Sequence, residues 1–161
     1  MNLDMLKRIA APLTILLTVA LAFASCNRKA VYSHYEHTPI FGWEKNDHLF
    51  FQTSPFAVEG RYREVVGLRI NSSYPFRGLT LIVEQHVEPS GLRRTDTLWC
   101  KLIDANGVVQ GKGISYFQYN FHLCDIPLHK GDSLHVELRH NMKREMLPGI
   151  SDVGISLERI D

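Results

Sequence analysis

The chain has 161 residues, with 18 Lys and Arg against 17 Asp and Glu and 45% apolar residues, a length that fits one domain. Near-neutral charge without a basic run excludes an electrostatic nucleic-acid binder and a polybasic lipid-binding segment. Three cysteines are too few for a disulfide scaffold.

The N-terminus opens with Lys7 and Arg8, followed by an apolar stretch over 9–23 that closes on Ala24, Ser25 and Cys26. A secretory h-region runs about 7–15 residues and ends in small residues, whereas a membrane-spanning helix needs roughly 20 apolar residues. The stretch therefore reads as a signal peptide over residues 1–25. A cysteine directly after small residues points to the lipoprotein class, in which that cysteine carries a diacylglycerol and becomes the acylated N-terminus of the mature chain. Cys26 is the expected lipidation site, and several acyl chains on one residue give stable anchoring, at about 0.8 kcal/mol per buried CH₂. The first 25 residues hold two of the basic and one of the acidic side chains, so the remainder is formally neutral.

From residue 26 to 46 the chain is polar and mixed and reads as a lipidated tether that ends by packing on a domain. Residues 47–161 read as that domain. Val66, Leu68 and Ile70 alternate with polar or small neighbours, and so do Leu79, Leu81 and Val83. The same period of two recurs at Leu98, Cys100 and Leu102, then at Phe117, Tyr119, Phe121 and Leu123. It returns at Leu134, Val136 and Leu138, and finally at Val153, Ile155 and Leu157. Such alternation puts one set of side chains on a core face. Glu88-Pro89-Ser90-Gly91, Asp104-Ala105-Asn106-Gly107 and His129-Lys130-Gly131-Asp132 supply turn chemistry between the runs, with Asn106-Gly107 the best hairpin candidate. The expected fold is all-β: one antiparallel β-sandwich, jelly-roll-like, of seven to nine strands. Apart from a turn near 142–147, no segment carries a helical stripe.

Chemistry is sparse. The chain has no GxSxG elbow, HExxH, glycine-rich phosphate loop or EF-hand pattern, which argues against an enzyme. His34 and His37 flank Glu36, yet without a third ligand cluster they imply no metal. His122, His135 and Glu137 fall on outward strand positions and read as solvated faces. Once Cys26 is acylated, Cys100 and Cys124 remain, in a compartment that permits disulfides; either one bridge or two buried thiols is open. Trp43, Tyr74, Phe76, Trp99, Tyr116 and Phe117 read mainly as core and loop anchors, with an aromatic sugar-binding surface as the alternative. Trp99 stands apart, because its neighbours Leu98 and Cys100 belong to the other face.

Two segments carry a resemblance: Asn71-Ser72-Ser73-Tyr74-Pro75-Phe76-Arg77-Gly78-Leu79-Thr80-Leu81, and the run from Leu138 to Ile155 with its Met-x-x-x-x-Leu-Pro-Gly-Ile-x-Asp-Val-Gly stretch from Met142 to Gly154. Together with Cys26, Trp43 and Thr95-Asp96-Thr97-Leu98, the chain resembles the gliding-motility-associated lipoprotein H family of Bacteroidetes over nearly its whole length. Lys143 and His140 depart from the pattern. The resemblance implies a non-catalytic outer-membrane lipoprotein serving envelope machinery for gliding and secretion. Its partners are the membrane, through the lipid, and envelope proteins; it has no cofactor beyond the covalent acyl groups of Cys26, and no nucleic acid. Lys143, Arg144, Pro148 and Gly149 are candidates for a partner-docking edge, although Pro148-Gly149 also serves a tight turn. A lipid-anchored carbohydrate-binding module is the alternative function. Asn27-Arg28-Lys29 lacks the acidic residues common behind surface-directed lipoprotein cysteines, which favours the periplasmic face.

Overall fold

The structure is a computed structural model that describes residues 30–161. The signal peptide and Cys26 lie outside the described residues. Ten strands follow one another: β1 (Ala30–His37), β2 (Trp43–Glu44), β3 (Leu49–Gln52), β4 (Gly60–Asn71), β5 (Gly78–Glu88), β6 (Arg93–Lys101), β7 (Tyr116–Leu128), β8 (Ser133–His140), β9 (Met146–Leu147) and β10 (Ile150–Arg159). All pairings are antiparallel. One sheet has the order β1-β10-β4-β7 and the other β3-β8-β5-β6, while β2 and β9 form a separate two-stranded ribbon. Among the long strands only β5 and β6 are joined as a hairpin within a sheet; every other connection crosses the sandwich. That interleaving is the jelly-roll arrangement, and it bears out the expected all-β fold.

The core lies where the alternation places it. Val66, Leu68 and Ile70 of one sheet meet Leu79, Leu81, Val83, Val136 and Leu138 of the other, with Val153, Ile155 and Leu157 beside them, all buried. The alternation in β7 breaks at a bulge: Glu64 pairs with Cys124 but Val65 with His122. One extra residue on a strand flips every later side chain to the other face. The buried set therefore continues as Cys124, Ile126 and Leu128, a shift that the run ending at Leu123 did not show.

One expectation changes, and two others become specific. The polar stretch assigned to a tether supplies β1 from Ala30 and β2 at Trp43. Its alternation is weak because β1 is an edge strand with only part of one face turned to the core. Tyr35 holds it in place from outside: the ring lies over Gly67 of β4 and Gly154 of β10. Its Oη accepts a hydrogen bond from Gln118 Nε2 of β7 (2.9 Å), and the Arg69 guanidinium sits 4.7 Å above the ring. Those glycines are needed in mid-strand so that a ring can cross the sheet. Second, Asn106-Gly107 turns a short hairpin as expected, closed by the antiparallel bridge between Ile103 and Val109. Third, Cys100 and Cys124 are both buried and free, one on each sheet.

Candidate functional site

The sandwich has two unlike ends. Ala30 pairs with Glu158 and His37 with Asp152, so β1 runs from the end where the described residues begin to the opposite, distal end. Eight residues at about 3.3 Å each span roughly 25 Å. The distal end gathers the loops 38–42, 72–77, 102–115 and 141–149. Trp43, the Tyr74-Pro75-Phe76 corner and the Pro148-Gly149 turn, separate in sequence, meet there.

Their junction is tight. Gly149 has φ +83°, and a Cβ on it would fall 2.8 Å from the Ser73 carbonyl carbon. The Asn71 N–H donates to the Gly149 carbonyl (2.8 Å), and Asn71 Oδ1 accepts from the Ser73 N–H (2.9 Å). The Tyr74 hydroxyl donates to the Gly78 carbonyl (2.9 Å), its ring edge-on to Phe76 at 5.6 Å, and burial pushes its phenol well above the usual range. Trp43 pairs with Leu147 across the β2–β9 ribbon. It is fully buried, donates its indole N–H to the Asp47 carbonyl (2.9 Å) and packs edge-on to His140 (5.2 Å). Burial lowers the His140 pKa, which keeps that ring neutral. The backbone of Ser73 and Tyr74 thus leaves room at position 149 only for a glycine.

What the junction presents is apolar. Pro39-Ile40-Phe41-Gly42 forms a turn closed by the Gly42 N–H on the Pro39 carbonyl (3.0 Å). Gly42 at φ +131° leaves no room for a Cβ, which would lie 2.6 Å from Met146 Cγ. The turn is clamped while its tip is bare: Ile40 is 97% exposed and Phe41 89%. Ile114, Tyr116 and Met146 are exposed at the same end. Lys143 and Arg144 are also exposed and, among the described residues, enter no ion pair. Sequence reasoning picked out the two cations and missed the Ile40–Phe41 tip. The available signal was a pair of large apolar residues between Pro39 and Gly42, where a surface turn is expected.

Two further features adjoin the site. Trp99 is 63% exposed, as its phase in β6 suggested, and borders a recess of about 490 Å³ with Phe76, Arg77, Lys101, Ile103 and Met142. On the outer face of the β3-β8-β5-β6 sheet a shallow groove of about 600 Å³ carries Phe50, His86, His135, Glu84, Glu137 and Arg93. There His86 opposes His135 and Glu84 opposes Glu137. Glu137 accepts from His48, and Arg139 lies 3.9 Å from Glu84. His34 pairs only with Glu36 (2.7 Å), and no group of three His, Cys, Asp or Glu suited to a metal ion exists among the described residues.

Inside the core sits a polar trio that the sequence did not single out. Glu64 is fully buried; Gln85, from the opposite sheet, donates to it, and the Cys124 thiol lies 3.8 Å away. Its second oxygen has no partner. Desolvation pushes the carboxyl up to about 7. Sealed from solvent, it can exchange a proton but meet no substrate.

The family model for the GldH lipoprotein matches residues 30–157, the whole sandwich from the first residue of β1 to the end of the core in β10. The chain belongs to the GldH lipoprotein family. It is similar to the gliding motility lipoprotein GldH of Flavobacterium johnsoniae, 30% identical over 154 residues, covering 91% of this chain and 96% of the relative. A GldH homolog from Christiangramia forsetii is 26% identical over 163 residues, covering 96% and 99%. Among solved structures, a family GH115 4-O-methyl-alpha-glucuronidase aligns with 85% of this chain and 18% of its own at 13% identity, with a TM-score of 0.43. At that distance the likeness says nothing further about this chain. The two segments that carried the resemblance meet at the distal junction, where the Asn71 N–H donates to the Gly149 carbonyl.

Proposed function

We propose that the protein is a non-catalytic envelope lipoprotein, anchored by acylated Cys26 in the outer membrane on its periplasmic face. From there it presents its distal end to protein partners in a gliding- or secretion-related assembly. The names of the relatives support the lipoprotein and gliding parts. One observation carries the contact role: a clamped turn holds Ile40 and Phe41 bare at the end remote from the anchor. Exposing two large apolar side chains to water is unfavourable, and a clamped apolar tip whose base abuts Met146 has the composition of an interface centre. Because the acyl anchor concentrates the domain at the membrane, even a small patch can hold a partner.

The test is crosslinking in native membranes followed by mass spectrometry, with Cys26→Ala as the unanchored control. Specific envelope proteins should be recovered. An Ile40→Ser, Phe41→Ser double variant should lose them at unchanged folding, and Lys143→Ala with Arg144→Ala should weaken them. The exposure of Trp99 favours a second reading, a carbohydrate-binding module. Recovery of no partner, with glycan-array binding abolished by Trp99→Ala, would replace the first reading with the second.

A further inference from the structure

We infer that the end opposite the tip rests on the bilayer itself, with a groove beside the start of β1 taking up phospholipid from the leaflet that holds the Cys26 acyl chains; this rests on the reading that Cys26 is acylated. Three residues, Asn27, Arg28 and Lys29, separate Cys26 from Ala30, and the four Cα–Cα steps reach at most about 14 Å. Ala30 therefore stays within that distance of the acyl-bearing residue, while β1 carries the tip away from it.

The surface so placed is apolar. Val31 is 53% exposed and Val58 48%, and Ile160 is also exposed. Between β1 and the loop 53–58 lies a groove of about 420 Å³ bordered by Val31, Tyr32, Pro55, Ala57, Val58 and Arg159. The loop that forms one wall is fixed. Phe56 turns inward against Tyr62, with ring centroids 4.8 Å apart. The Phe56 N–H donates to the Asp132 carbonyl, the Gly131 N–H donates to the Phe56 carbonyl (both 2.8 Å), and the Tyr62 hydroxyl donates to the Val58 carbonyl (2.5 Å). Pro55, Ala57 and Val58 are left facing solvent because their neighbours are bonded away.

Charge identifies the kind of lipid contact. Around the groove Arg61, Lys130 and Arg159 stand against Glu59, Glu158 and Asp161. Asp161 accepts from the Arg61 N–H (2.8 Å) and from Arg159 Nε (3.2 Å). The groove's own rim is so balanced that it gains nothing from anionic headgroups, whereas Arg28 and Lys29, between Cys26 and Ala30, add two positive charges beside the anchor. Contact is made by apolar side chains entering the boundary between headgroups and acyl chains, where a zwitterionic phospholipid serves as well as an anionic one.

The experiment uses the full acylated protein in phosphatidylcholine vesicles that carry a nitroxide at a shallow acyl position. Both native tryptophans, Trp43 and Trp99, lie towards the distal end and supply an internal background. In a Val58→Trp variant the added emission should shift to the blue and be quenched by the nitroxide lipid, while wild-type emission is unchanged. In pure phosphatidylcholine the quenching should persist at high salt, because the groove contact is apolar. Val31→Trp serves if the first variant misfolds. A chain that is acylated by intact mass and bound to vesicles, yet shows no quenching at either position, would overturn the inference and leave the anchor standing. An intact mass without acyl groups would sink the anchoring reading, and this inference with it.

Discussion

Replacing Glu64 by Gln should change how stability depends on pH. Burial raises the folded carboxyl from 4.5 to about 7, against the smaller lowering effect of the Gln85 and Cys124 contacts. A raised folded value means that the native state holds its proton more tightly than the unfolded chain does. The stability contribution is then full below pH 4.5, is lost as pH rises towards 7, and does not return above that. At about 1.4 kcal/mol per pH unit, the loss is about 3 kcal/mol across the window. Glu64→Gln keeps the shape and an acceptor for Gln85 and removes the charge. In urea unfolding followed by circular dichroism, the wild type should lose midpoint between pH 4.5 and 8, the variant should lose less, and the variant should be the more stable at pH 8. Every other ionisable group is common to both proteins and cancels in the difference. Parallel pH profiles for the two proteins would refute the assignment of a titrating carboxyl to the core.

Gly154→Ala should cost about 1–3 kcal/mol, an overpacking penalty, because the new Cβ would fall 2.6 Å from Tyr35 Cδ1. The same substitution in a Tyr35→Ala background should cost less, and a simply additive double mutant would show that the ring is not the obstacle. Burial pushes the Cys100 thiol up to about 12 and raises Cys124 as well, so iodoacetamide at pH 8 should label neither in the folded protein and both in urea. An intact mass lacking the two thiol hydrogens after oxidising purification would show a bridge and contradict the free thiols.

Much of the fold was legible in the sequence, because a sandwich strand must alternate to bury one face. The phases of Leu79, Leu81 and Val83, or of Leu134, Val136 and Leu138, named their core residues correctly, and the phase of β6 placed Trp99 outside. Local pattern failed where an edge or a bulge intervened. β1 is held by Tyr35 crossing to glycines 119 and 32 residues away in sequence, contacts that no short window contains. The extra residue in β7 is visible only against the register of β4, and it delivers Cys124 to Glu64. The signal stretch, the candidate lipidation cysteine and the sandwich class follow from composition, spacing and periodicity, all local properties of the chain. Tertiary structure alone decided that Trp43, Tyr74 and Gly149 close one end and that Ile40 and Phe41 stand bare upon it. It also put Val31 and Val58 at the other end, because which loops share an end depends on strand order, and strand order is fixed by pairings between residues far apart along the chain.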